Sequence, residues 1–193
     1  MALNVHVVVA HYNEDTSWLS ALKYPHTLCS KAGIAVDTLP NKGYEASTYL
    51  QWIIDNYHDL PDYTIFIHAH QTSTHSYGNM DEQINALKFD QNYCNINSFP
   101  HFHLTHFPHL IPFLYEHKPP IEAIIQRQII PEQLVYRCCA QFYVQRTCLQ
   151  QYTREQYLNL LEWLITFPGS SKDAAVILEW LWCFIFTGNH VDS

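Results

Sequence analysis

The sequence predicts an α/β protein with a mixed, mostly parallel central sheet flanked by helices. Residues 5–10 are almost wholly apolar, and residues 63–67 form a short β-branched and aromatic run. Runs of this kind are typical of parallel strands that are buried on both faces. Apolar residues recur at helical spacing before the second of these strands and again near the end of the chain, which supplies the covering helices.

Composition favours one packed domain that spans residues 1–193. The chain is 48% hydrophobic and 15% aromatic, and it carries a net charge of −8 with its ten Lys and Arg scattered. The absence of a basic stripe disfavours a nucleic-acid partner. The six cysteines have no CxxC spacing and read as reduced thiols, which predicts a cytoplasmic protein. The apolar run 174–187 is too short to span a membrane. The oligomeric state stays open.

The first strand should be central, with residues 11–15 as the loop that leaves it. A loop in this place commonly lines a nucleotide site, so His11, Tyr12, Asn13 and Glu14 are candidate nucleotide-binding residues. Alternatively, Asn13 and Asp15 only cap a helix that continues through Trp18, Leu19 and Leu22.

A second strand is expected at Ile34–Leu39, followed by a turn at Asn41, Lys42 and Gly43. The helix that follows offers backbone N–H groups to an anion, and the lysine adds a positive charge, so a diphosphate fits here. The alternative is a plain Asn–Gly turn with a solvated lysine. Glu45 either favours the helix dipole or accepts a ribose hydroxyl.

The helix is predicted by the helical spacing of four apolar residues that share one face: Tyr49, Trp52, Ile53 and Tyr57. Pro61 prevents it from continuing, and the strand Tyr63–Ile67 follows.

Three histidines follow that strand in the segment HAHQTSTH. His68, His70 and His75 form a candidate metal site, since three imidazoles and one open position suit a catalytic zinc, and manganese is possible with added oxygen ligands. Alternatively, the imidazoles hydrogen-bond a diphosphate or an acceptor sugar without metal.

These motifs carry two resemblances. NKGYEASTYLQWIIDNY followed by LPDYTIFIHAHQTSTH resembles a family of mainly fungal proteins of unknown function. The order of elements is also similar to GT-A nucleotide-sugar glycosyltransferases, which open with a strand and a Tyr-Asn-Glu loop, here VVVAHYNED at 7–15. Those enzymes place a metal-binding Asp-x-Asp where this chain has His68-x-His70. The second resemblance implies a GT-A (Rossmann-like) fold, a nucleotide-sugar donor, a divalent metal and a carbohydrate or glycan acceptor.

The second half of the chain supplies a further strand and two helices. CCAQFYV at 138–144 reads as a strand that resembles one near the acceptor site of GT-A enzymes. Thr153 can cap a helix that runs to about Phe167, and Asp173 opens the last helix. Between these parts lie four histidines, which we expect to be structural or partly exposed rather than metal ligands: His101, His103, His106 and His109.

Glu179 is the one charge between Asp173 and the final few residues of the chain, within the apolar last helix. A buried carboxylate must be paired, hydrogen-bonded or protonated. One interpretation is an ion pair with Arg137 or Arg146. The other follows from the GT-A resemblance, in which an acidic residue at the start of a late helix takes the proton of the acceptor hydroxyl.

The leading functional prediction is therefore a glycosyltransferase, either a hexosyl- or a pentosyltransferase, with Glu179 and His70 as catalytic residues. The alternatives are a metal-dependent hydrolase that uses the histidines of residues 68–75, and a non-catalytic sugar- or nucleotide-binding protein. The chain has no Gly-x-Ser-x-Gly, P-loop or Gly-x-Gly-x-x-Gly motif, which disfavours serine hydrolases, P-loop NTPases and dinucleotide enzymes.

Overall fold

A five-stranded sheet forms the centre of the protein. The computed structural model describes residues 3–34, 41–73, 76–98, 100–137 and 139–191. Within them the strand order is β2-β1-β3-β7-β4. The strands are β1 (Val5–His11), β2 (His26–Ser30), β3 (Tyr63–His68), β4 (Tyr93–Asn95) and β7 (Phe142–Gln145). Two further strands, β5 (His101–His103) and β6 (Val135–Arg137), form a separate antiparallel pair.

The predicted mixed, mostly parallel sheet is confirmed. β1 pairs in parallel with both β2 and β3, while β7 runs antiparallel to β3 and to β4. The two predicted buried strands, β1 and β3, lie side by side in the middle. Their side chains alternate between two apolar clusters, so Val8 faces one layer of the protein and Val7 faces the other.

The described residues form six α-helices around this sheet: α1 (Tyr44–Asn56), α2 (Met80–Ala86), α3 (Leu110–Ile125), α4 (Arg146–Leu149), α5 (Arg154–Thr166) and α6 (Ser171–Thr187). The larger cluster, on one face, joins α1, α3, α5 and α6, whereas α2 and a 3₁₀ turn at Ser17–Ala21 pack on the other. The predicted start of α5 is confirmed by a capping box between Thr153 and Gln156. A second capping box starts α6 two residues before the predicted position.

In the first third of the chain one strand was not predicted, one predicted strand falls mostly outside the described residues, and one predicted helix needs correction. The strand β2 lies at residues 26–30, where none was predicted, because it is a largely exposed edge strand without an apolar run. The predicted strand Ile34–Leu39 falls mostly on residues 35–40, which lie outside the described residues, and Ile34 itself is not in a strand. The predicted helix after β1 is only the 3₁₀ turn, and Asp15 accepts a hydrogen bond from the amide of its first residue, Ser17, at 2.9 Å.

The middle of the chain is more ordered than the sequence predicts. The four histidines of residues 101–109 are exposed, as expected, but the first and second lie in β5, and α3 begins directly after the fourth. The predicted strand 138–144 shortens to β7, because Cys139 adopts a left-handed conformation (φ 68°) that ends the extended run. In the described part of the chain no helix is long and apolar enough to cross a membrane.

We predict that Gly43→Ala lowers the free energy of unfolding by about 1–2 kcal/mol, because α1 begins at a left-handed residue. Gly43 has φ 76°, and a Cβ there would lie 2.7–2.8 Å from the side-chain carbons of Leu164 on α5. Urea denaturation at constant slope measures the change.

Gly33→Ala is the matched control for this substitution. Gly33 has nearly the same φ, 77°, but a Cβ there meets nothing within 4 Å. Both variants share the backbone strain, so Gly43→Ala should lose more stability than Gly33→Ala. Equal losses would show that the contact between the start of α1 and α5 contributes nothing.

Candidate functional site

A cleft of about 280 Å³ lies where the carboxyl ends of β1, β2 and β3 meet the start of α1. It is lined by Ala10, His11, Tyr12, Glu14, Lys31, Asn41, Tyr44, Glu45, Thr48, His68 and His70. The topology explains its position. The segment after β1 packs on one face of the sheet through Trp18, whereas α1, which follows β2, packs on the other face through Tyr49. Connections that leave neighbouring strands toward opposite faces open a crevice between them.

Glu14 forms one side of the cleft and is held by the backbone around it. Its Oε2 accepts hydrogen bonds from the amides of Tyr12 at 2.7 Å and Asn13 at 3.0 Å. The Nε2 atom of His70 lies 3.5 Å from Glu14 Oε1. Burial alone raises the pKa of the Glu14 carboxyl, but the backbone donors, chiefly Tyr12, and the His70 ring together bring this pKa below its ordinary value. Glu14 is therefore an ionised acceptor at the rim.

His11 occupies the end of β1 between two strands. Its Nδ1 atom is 2.8 Å from Ser30 Oγ at the end of β2, and its Nε2 atom is 3.2 Å from the backbone oxygen of Glu14. These two contacts fix the ring and tie the loop of residues 11–15 to the sheet edge. The predicted loop at the carboxyl end of β1 thus has a defined shape.

Lys31 brings a cation to the opposite side of the cleft. It directly follows β2, and its Nζ atom donates to the Tyr44 carbonyl at 2.9 Å and to Ser47 Oγ at 2.5 Å. Burial lowers the pKa of Lys31 to about 8, although the nearby Glu45 and Cys29 oppose that shift. The ammonium group is therefore tied to the first turns of α1.

Glu45 lies beside Lys31 in the first turn of α1. Burial raises the pKa of its carboxyl, and backbone hydrogen bonding and the charge of Lys31 offset only part of that rise. The cleft therefore holds two carboxylates with different proton affinities: Glu14 is shifted down, and Glu45 is shifted up. Two carboxyls whose pKa values are shifted in opposite directions are typical of acid–base sites.

His68 stands at the end of β3, above a buried network of amides. Its backbone N–H donates to Gln141 Oε1 at 3.2 Å, and Gln141 Nε2 donates to Asn97 Oδ1 at 2.7 Å. The Asn97 side chain in turn donates to the carbonyl of Cys139 at 2.6 Å. Because the network amides Gln141 and Asn97 are almost fully buried, they hold the strand end in one position.

The structure brings most of the predicted site residues together. His11, Tyr12, Glu14, Asn41, Glu45, His68 and His70 all line the cleft, and Asn13 lines the crevice next to it. Gly43 is the N-cap residue of α1. Lys42 is placed elsewhere: its Nζ atom donates to the Gly169 carbonyl between α5 and α6, and it is not part of the cleft lining. No sequence pattern predicted Lys31 as a site residue, because no pattern predicted β2, the strand that it follows.

Glu179 does not line the cleft either. It lies in the middle of α6 rather than at the start of a helix, is half-buried, and accepts a hydrogen bond from the Cys139 amide at 3.0 Å. Of the two arginines considered as its partners, Arg146 pairs with Asp62 at 2.9 Å, and Arg137 donates to His101 at 3.1 Å. The placement thus supports a structural role for Glu179 at the turn before β7.

Metal binding by the histidine segment stays a prediction. Among the residues whose positions are described, no group of three or more His, Cys, Asp or Glu could hold a metal ion. The third predicted ligand, His75, lies outside those residues. His68 and His70 both line the cleft.

A crevice of about 460 Å³ adjoins the cleft and shares Tyr12, Glu14 and His70 with it. It also takes in Asn13, Asp15 and the residues just after His70. Its floor is fixed by Trp18, whose indole N–H donates to the Ala69 carbonyl at 2.9 Å. Each of the two spaces is comparable to a small-ligand pocket, and together they suit an elongated polar molecule.

A protein-family model described as "Protein of unknown function (DUF3431)" matches residues 7–101 and 111–193 of the chain. No curated protein and no solved structure matches.

Proposed function

We propose that this chain, which belongs to the DUF3431 family of proteins of unknown function, transfers a sugar from a nucleotide-sugar donor to a hydroxyl acceptor. The observation that carries this proposal is the cleft, which joins the carboxyl ends of three parallel strands, a half-buried lysine and a helix N-terminus. In open α/β sheets this is the place where nucleotides bind.

The diphosphate of the donor would lie between Lys31 and the start of α1. The N-cap residue of this 13-residue helix is Gly43, which has no side chain of its own to cap the first turn. A helix N-terminus favours anions, and the lysine ammonium adds a charge-assisted hydrogen bond. The proposal therefore moves the predicted anion contact from Lys42 to Lys31.

The nucleoside would occupy the adjoining crevice. Tyr12, which is 36% exposed, offers a ring on which a base can stack, and Glu14 and His70 stand where the crevice meets the cleft. A carboxylate that already accepts two backbone N–H groups can still accept a ribose or sugar hydroxyl through its other oxygen.

The chemical step then uses Glu45 as the base. The acceptor oxygen forms a bond to the anomeric carbon of the sugar while the bond from that carbon to the diphosphate oxygen breaks. The diphosphate leaves with the electron pair beside Lys31, and the hydroxyl proton passes to the Glu45 carboxylate. A carboxyl whose pKa is raised by burial is better suited to this role than an ordinary surface glutamate.

The direct test is a thermal-shift and calorimetry screen of UDP- and GDP-sugars, each with and without Mn²⁺ and Zn²⁺. A ligand that binds only the native state raises the melting temperature. Binding followed by sugar transfer to an added alcohol supports the proposal. Metal-dependent hydrolysis of the ligand without transfer would identify the hydrolase alternative, and binding without turnover would identify the binding protein. No binding of any nucleotide sugar at millimolar concentration would overturn the proposal.

We also expect nucleotide-sugar affinity to fall as the pH rises through about 8, the pKa of Lys31. The protonated amine binds the diphosphate, so affinity is at its full value well below that pH and falls by up to about tenfold per pH unit above it. Calorimetry between pH 7 and 9.5 measures this slope. Flat affinity over that range would show that the amine does not contact the anion.

A further inference from the structure

A second, larger cavity of about 530 Å³ lies between β2, α1 and α5. Trp52 of α1 and Leu161 and Ile165 of α5 give it apolar walls. Gln51 and Asp55 also line it, and because both are exposed they belong to its mouth. The cavity therefore has an apolar wall between α1 and α5, and polar side chains of β2 and α1 line the rest of it.

The inner end of this cavity meets the cleft. Lys31 and Thr48 line both spaces, and Ser47 and Thr48 are buried hydroxyl residues on the same turn of α1. A molecule that fills the second cavity can therefore present one polar group to the cleft beside Lys31. That group would lie on the side of Lys31 away from the crevice assigned to the nucleoside.

We propose that the second cavity is the acceptor site, and that it takes a compact apolar molecule with a hydroxyl group rather than a glycan. The proposal rests on the proposed sugar transfer. A sugar ring carries several hydroxyls, and those that faced Trp52, Leu161 and Ile165 would lose their hydrogen bonds to water without replacement. An aromatic or aliphatic alcohol places its carbon skeleton against these walls and its one hydroxyl near Thr48.

The transfer step fits this arrangement. The hydroxyl oxygen of the acceptor forms the bond to the anomeric carbon, the diphosphate leaves with the electron pair of the broken bond, and the hydroxyl proton passes to Glu45. Glu45 lies about one turn before Thr48 on α1, so the base and the residue nearest the acceptor hydroxyl belong to the same helix.

The test uses 2-naphthol, a neutral apolar alcohol, as the probe in equilibrium dialysis against the full chain without nucleotide. Leu161→Trp fills the cavity and should weaken 2-naphthol binding at least tenfold. Ile165→Phe fills it from the next turn of α5 and should act in the same direction. Leu158→Trp is the matched control, because Leu158 is 40% exposed on the same helix and does not line the cavity. Circular dichroism confirms that each variant is folded.

The outcomes separate this inference from the proposed function. If 2-naphthol does not bind, or binds the folded filling variants as well as it binds the original chain, the second cavity is not the acceptor site, even where nucleotide sugars bind. If 2-naphthol binds and Leu161→Trp prevents it while no nucleotide sugar binds, the acceptor assignment fails together with the transfer on which it rests, and only an apolar-alcohol site remains. Transfer of a sugar to 2-naphthol that is lost in Leu161→Trp, with nucleotide affinity unchanged, supports both.

Discussion

Glu45→Gln is expected to slow sugar transfer by about 10²–10⁴-fold, the usual contribution of a general base. Glutamine keeps the size and shape of glutamate but cannot take the acceptor proton. Glu45 is half-buried beside Lys31 in the first turn of α1, where burial raises the pKa of its carboxyl. The turnover number at saturating donor and acceptor measures the effect, and the donor affinity should change little.

Glu179→Gln is the matched control for this prediction, because the two glutamates differ in where the structure places them. Glu179 accepts the Cys139 amide and lies outside the cleft lining. Its substitution should lower the melting temperature and leave turnover within a few-fold of the original value. If Glu179→Gln instead abolishes turnover at unchanged stability, while Glu45→Gln remains active, the base is Glu179 and our assignment is wrong.

Lys31→Met is expected to weaken nucleotide-sugar binding by about 1.5–3 kcal/mol, the value of a hydrogen bond to a charged group, or about 10- to 150-fold. Methionine retains most of the apolar stem and removes the ammonium that stands between the cleft and α1. Calorimetry at pH 7 measures the loss. The same variant should also lose the pH dependence of affinity above pH 8.

Lys42→Met distinguishes the loss of a positive charge that contacts the ligand from the loss of a contact that stabilises the fold. Lys42 joins the start of α1 to Gly169, so its removal should lower stability while nucleotide affinity stays within about twofold. Lys31→Met also removes contacts to Tyr44 and Ser47, so both variants are compared by urea denaturation. Weaker nucleotide binding in Lys42→Met than in Lys31→Met would return the anion site to the turn at residues 41–43.

Much of the fold could be predicted from the sequence because the central elements carry their own patterns. β1 and β3 are buried on both faces and therefore consist of apolar runs, and α1 and α5 show apolar residues at helical spacing. The edge strand β2 is largely exposed and shows no such run. The position of β2, and therefore that of Lys31, is established only by the pairing of β2 with β1 in the structure.

The candidate site, too, could be predicted only in part from the sequence. Because carboxyl ends of parallel strands meet at one edge, the sequence could place His11, Glu14, His68 and His70 on a common rim. It could not show that Glu14 is held by the amides of its own loop or that Glu45 is half-buried. Both properties depend on how the segments on either side of the sheet close over that rim.

The sequence by itself determined the two central strands, the helix between β2 and β3, and the rim that their ends form. Only the tertiary structure decided which cation and which carboxylate lie at that rim. Lys42 was predicted to be part of the anion site but its side chain reaches Gly169, and Glu179 reaches the turn at Cys139. The physical reason is that the direction of a long charged side chain depends on the neighbours that pack against its helix, and those neighbours come from distant parts of the chain.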